Sequence, residues 1–162
     1  TIPEGQSPVV VLAPLANAYD DLGQYAYADS AFEEALQLEP ENGTILNNYA
    51  YSLCQREIEL DKALVMVKKA IELEGENSSF LDTMGWIYFQ RREYQKALLN
   101  IKKAWALDEG GVEIGYHLGM VLEKLGRREE ACEIWKTALK REPENNDIII
   151  QLKKHCSREE TL

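Results

Sequence analysis

Small, apolar and polar positions recur along this chain with a step of 34 or 35 residues. Ala16, Ala50, Gly85 and Gly119 keep that step, as do Ala28, Ala63, Ala97 and Ala131, and again Ala35, Ala70, Ala104 and Ala138. Larger apolar side chains surround the first series at helical spacing: Leu12, Leu15 and Tyr19, then Leu46, Tyr49 and Leu53, then Leu81, Met84 and Tyr88, then Leu118 and Leu122. Three related strings, Glu39-Pro40-Glu41-Asn42, Glu74-Gly75-Glu76-Asn77 and Glu142-Pro143-Glu144-Asn145, mark unit boundaries. A fixed period of this size denotes an array of stacked supersecondary units. The small residues let two helices cross closely, and added methylenes there cost about 1–3 kcal/mol.

The pattern predicts helix pairs at 9–22 with 25–38, 44–56 with 60–73, 78–91 with 94–107, and 112–125 with 128–141, followed by a ninth helix at 146–157. The last helix turns polar at Lys153, Lys154 and His155, as a terminal cap requires. Gly23 and Gly126 stand where a left-handed residue ends a helix, and Arg92 occupies the same place in the third unit, implying a mildly strained turn. Pro14 lacks an N–H, so the first helix is expected to be regular only from near Ala13.

These residues resemble the tetratricopeptide repeat family, whose pattern runs large-x-x-Leu-Gly-x-x-Tyr, Ala-x-x-x-Phe, Ala, Pro. The first unit supplies Leu12, Leu15, Ala16, Tyr19, Ala28, Phe32, Ala35 and Pro40, and the fourth Gly115, Leu118, Gly119, Leu122, Ala131, Trp135, Ala138 and Pro143. The second unit departs by one extra residue in its internal turn and Gly75 in place of Pro, and the third by Glu109 in that place. The resemblance implies an all-α fold: a right-handed α-solenoid, or superhelix, of four helix-turn-helix repeats at 9–42, 43–77, 78–111 and 112–145. A linker over 1–8 precedes them, and a capping helix and tail occupy 146–162. The runs 46–53 and 81–88 look like those of bacterial members, envelope lipoproteins included, which leaves cytoplasm and periplasm both open.

With 28 acidic against 18 basic residues, the formal charge is −10. That balance opposes nucleic-acid binding, which rests on phosphate neutralisation. No apolar run is long enough to span a bilayer. Cys54, Cys132 and Cys156 show no metal-ligand spacing and are read as free thiols, which favours a reducing compartment or indifference to redox state. Thr1 in place of Met, with Pro3 and Pro8 close behind, suggests a segment cut from a longer protein. Phosphate loops, nucleophile elbows and zinc signatures are absent, so no enzyme, cofactor or metal is expected. His117 is expected on a partly exposed helix surface. Asn42 and Asn77 fit glycosylation sequons but read as helix caps.

Function is therefore expected on the surface that stacking creates. By resemblance, the first helices line a groove for a partner segment. Its residues here are Asn17, Asp20 and Asp21; Asn47, Asn48, Tyr51 and Cys54; Asp82, Trp86 and Phe89; and Tyr116, His117, Met120 and Glu123. Tyr51, Trp86, Phe89 and Tyr116 would form an aromatic ridge, with Trp86 and Phe89 alternatively packed inward. Asp20, Asp21, Asp82 and Glu123 would select an apolar, basic protein or peptide partner. The carboxylate clamp of chaperone-binding relatives is not expected: Asn17 and Asn48 are present, but the cationic positions hold Ala13, Ser79 and Thr83. The other reading is a structural spacer or self-association module.

Overall fold

A computed structural model describes residues 7–156 of the chain. Among these residues there are nine helices: α1 (Val9–Asp21), α2 (Tyr25–Leu38), α3 (Gly43–Gln55), α4 (Leu60–Glu74), α5 (Ser78–Gln90), α6 (Tyr94–Leu107), α7 (Val112–Lys124), α8 (Arg128–Leu139) and α9 (Asn146–His155). The fold is an all-α helical repeat. It divides after Glu76 into two compact bodies, one holding α1–α4 and the other α5–α9. Most of the expected linker and tail lie outside the described residues.

Each helix pair closes on its small residues. Ala16 and Ala28 in the first pair, and Ala50 and Ala63 in the second, are fully buried. The space is tightest at the glycines: a Cβ on Gly85 would lie 2.3 Å from Ile101 Cγ1, and one on Gly119 2.0 Å from Trp135 Nε1. Within the first body Phe32 stacks on Tyr49 with ring centroids 5.0 Å apart, joining α2 to α3. The core thus follows the recurring positions read from the sequence.

Caps and turns follow one plan. Asn42, Asn77 and Asn145 each accept a hydrogen bond from the backbone N–H three residues on, at 3.1, 2.9 and 3.1 Å. Glu39 and Glu142 in turn accept from the Asn42 and Asn145 carboxamides, which orients these caps. This explains why the boundary strings repeat. Inside each pair the first helix ends in a Schellman turn, with a left-handed residue at Gly23, Glu57, Arg92 or Gly126 (φ 68°, 54°, 62° and 75°). In the first turn, Gly23 N–H donates to Asp20 O and Gln24 N–H to Tyr19 O, both at 2.8 Å. Arg92 therefore adopts the strained conformation expected of it, and Glu57 does so as well.

Two expectations are corrected. α1 is regular from Val9, with Pro14 inside it. The proline removes one hydrogen bond, but Val10 and Pro14 are exposed, so water can reach the freed carbonyl, while Ala16 anchors the same helix in the core. Cys132 and Cys156 are not free thiols: they form a disulfide linking α8 to the residue that ends α9, Cα–Cα 5.8 Å. Cys54 is buried and takes no part in a disulfide. The inference of a reducing compartment falls with the free-thiol reading.

Gly119→Ala is expected to lower stability by about 1–3 kcal/mol, measured by urea unfolding, because Trp135 has little room to retreat. Cys132→Ser is expected to lower it by about 3 kcal/mol and to raise amide exchange in α9 first.

Candidate partner-binding surface

On α5, Asp82, Trp86 and Phe89 share one face at i, i+4 and i+7, and on α7 Tyr116, Met120 and Glu123 do the same. The packing of the second body brings these faces together. Trp86 lies parallel to Phe89, centroids 4.4 Å apart, and parallel to the His117 imidazole at 4.0 Å. Tyr116 meets Trp86 at a tilt, 6.4 Å away. Phe89, Tyr116 and Met120 remain half-buried, so this aromatic cluster has an accessible rim.

A buried polar pair supports the cluster. His117 Nδ1 lies 2.8 Å from Asp82 Oδ2, with the side chains 2% and 7% exposed. The imidazole is thus held beneath Trp86 by a carboxylate on the same helix as the tryptophan. This corrects the expectation of a partly exposed His117. Trp86 is only 6% exposed, and its role is to back Phe89 and Tyr116 from below. Asp82 Oδ1 and Trp86 Nε1 are buried without a hydrogen-bond partner, an acceptor and a donor one helical turn apart.

In the first body the candidate residues are placed differently. Asn47 and Cys54 are buried, while Asn17, Asp20, Asn48 and Tyr51 are half-buried and Asp21 is exposed. Ser52 donates to Asp20 at 2.6 Å, tying α3 to α1, and Gln55 donates to the Tyr51 hydroxyl. The expected acidic selectors are therefore largely engaged within the chain: Asp20 with Ser52, Asp82 with His117, and Glu123 with Lys124 at 3.4 Å and His155 at 3.7 Å. Of the ridge, Trp86, Phe89 and Tyr116 come together; Tyr51 belongs to the other body.

The sequence reading missed Ile150 and Lys154 on α9. Ile150 continues the series Asn47, Asp82, Tyr116, and Lys154 continues Tyr51, Trp86, Met120, with the same step, so extending the period into the cap would have found them. Both are exposed. The nearness of α9 is felt at Tyr116, whose hydroxyl pKa is raised by burial and then by the Asp147 carboxylate. Among the described residues, no group of three or more His, Cys, Asp or Glu could hold a metal ion, and no helix is long and apolar enough to cross a membrane.

Asp82→Ala is expected to cost about 1–3 kcal/mol in chemical denaturation, because the buried carboxylate–imidazole hydrogen bond is lost. Near-ultraviolet circular dichroism should show the Trp86 environment loosening while helicity is kept.

Residues 12–42 and 112–145 match the tetratricopeptide repeat family model. The mitochondrial import receptor subunit TOM70 of Rattus norvegicus is 32% identical over 101 residues, covering 62% of this chain and 17% of TOM70. The chain therefore spans a small part of this relative's length. Among solved structures, PilW, a widely conserved type IV pilus biogenesis factor, superposes with a TM-score of 0.81 at 18% identity, over 92% of this chain and 69% of PilW. The first TPR of Spaghetti (RPAP3), bound to the HSP90 peptide SRMEEVD, superposes at 0.65 with 19% identity, over 71% of this chain and 90% of that one.

Proposed function

We propose that this chain, whose residues 12–42 and 112–145 match the tetratricopeptide repeat model, is a protein-interaction scaffold whose α5–α7 face binds a segment of a partner protein. We read residues 9–145 as its four repeats and 146–162 as the cap and tail. The observation that carries this reading is the half-exposed rim of Phe89, Tyr116 and Met120 seated on buried Trp86. Aromatic side chains already held rigid lose little entropy on binding, and such groups dominate interface energetics. An apolar anchor on the partner would bury against this rim, flanked by Ile150. A basic partner is favoured by the net charge of −10, which speeds encounter more than it tightens the complex.

The partner's C-terminal carboxylate is not what this face would hold. On α5, Ser79 and Thr83 stand at cationic positions of the clamp, and Thr83 is buried. Without charge-assisted bonds a carboxylate gains too little to offset its desolvation.

The test compares the chain with a Phe89→Ala, Tyr116→Ala variant in quantitative pull-downs from the source cell, followed by titration of each captured protein. Trp86 is left intact because its loss would disturb the core. Binding weakened about tenfold or more, with helicity unchanged, is the expected outcome. Equal capture by both versions would overturn the reading.

A further inference from the structure

The two bodies build the same gap between second helices and fill it differently. In the first body Glu33 of α2 and Lys62 of α4 meet over α3, 3.8 Å apart. The Tyr49 hydroxyl joins them, donating to Glu33 at 3.2 Å and accepting from Lys62 at 3.5 Å, and the Tyr49 ring stacks on Phe32 beneath. Two repeats on, the recurring positions put Ile101 and Leu118 where Phe32 and Tyr49 stand, and Lys102 and Glu130 where Glu33 and Lys62 stand. Both rings are lost, and the charges of the two walls are exchanged. Leucine has no hydroxyl to reach either wall, and Glu130 pairs with Arg127 at 2.6 Å. Between α6 and α8 there is accordingly a cleft of about 500 Å³, floored by Leu118 and Leu122 of α7 and walled by Trp105 of α6 and Ile134 of α8. That volume is in the range of sites that hold a ligand or a partner's side chain.

We propose that this cleft docks a segment of a partner protein, with a large apolar side chain entering it and Lys or Arg beside that anchor facing α8. Glu129, Glu130 and Glu133 line the α8 wall, while the α6 wall contributes Lys102, so the lining is acidic along one helix. Glu130 and Glu133 pair with Arg127 and Lys136, their neighbours in sequence. Exposed pairs of this kind contribute little, so an incoming cation can replace them. The apolar surface continues past Lys102 onto α6, where Leu99 is 63% exposed beside Leu98 and Ala106. At the places of Leu98 and Leu99, α2 has Asp29 and Ser30. A small ligand seated in the cleft would leave the α6 surface wet; a chain segment lying across Lys102 covers both. The carboxylates oppose the anionic surface of a membrane, and a second copy would bring a net charge of −10 toward the acidic wall.

The cleft is separate from the aromatic rim. Leu118 and Leu122 lie about 200° and 240° round α7 from Tyr116, whereas Met120 lies about 40° from it. The α5–α7 face and the α6–α8 cleft thus use opposite sides of α7, and either can bind while the other does not.

A displayed library of random dodecapeptides, panned on the oxidised chain, tests this. The counter-selecting protein carries Lys102→Glu, Leu118→Tyr and Glu130→Lys, which rebuild the bridge of the first body and fill the cleft. Peptides enriched on the parent are expected to combine a large apolar residue with Lys or Arg, and to shift the amide resonances of α6 and α8 in two-dimensional NMR. Glu129→Gln with Glu133→Gln, both exposed, should weaken these peptides about tenfold with helicity unchanged. This double variant takes over the counter-selection if the filled one does not fold. No enrichment over the variant, enriched peptides without positive charge, or shifts confined to α5 and the Tyr116 side of α7 would overturn the proposal. So would shifts in α6 and α8 that follow the chain's own concentration before any peptide is added, which would give the cleft to a second copy.

Discussion

The close crossing of two helices at residues without bulk is the constraint on which this structure depends. Where Gly119 lets Trp135 settle against the backbone of α7, and Gly85 does the same for Ile101, the second helix approaches to a distance no larger side chain permits. That approach turns an amphipathic helix with a marginal apolar face into half of a buried core. It also makes the pair asymmetric. The second helix spends its apolar surface against its own partner and the next first helix, which leaves one face of each first helix for other uses.

What those faces carry depends on support from beneath. The aromatic rim of the second body rests on Trp86, and Trp86 rests on an imidazole that a carboxylate from its own helix holds in place. A buried ion-capable pair is an expensive way to fill space. Its return here is orientation: Asp82, one turn before Trp86, positions a ring from α7 parallel to the indole. α5 and α7 are thereby fixed relative to each other at the point where Phe89 and Tyr116 reach the surface. A rigid platform of this kind suits a binding face better than the same aromatics on loops.

α9 adds half a repeat to α8. It buries Ile148 and turns Lys153 and Lys154 to solvent, and the Cys132–Cys156 disulfide secures it.

Much of this was legible in the sequence because it is local or periodic. The helix pairs, the asparagine caps and the small residues at the crossings recur at a fixed step, and repetition removes the ambiguity a single helix would leave. Glu57 took the left-handed turn position unnoticed, although it keeps the step that links Gly23, Arg92 and Gly126. Other features could not be read, since they depend on which side chains packing brings together. Cys132 and Cys156 meet only because α9 folds back on α8. Asp82 and His117 meet only because successive first helices lie side by side, one residue out of register with the repeat. Pro14 was judged by its local cost, which anchoring at Ala16 and solvent at the freed carbonyl outweigh. Periodicity determined which residues form helices and which face inward; tertiary packing decided which polar groups pair, which cysteines join and which aromatics stay accessible.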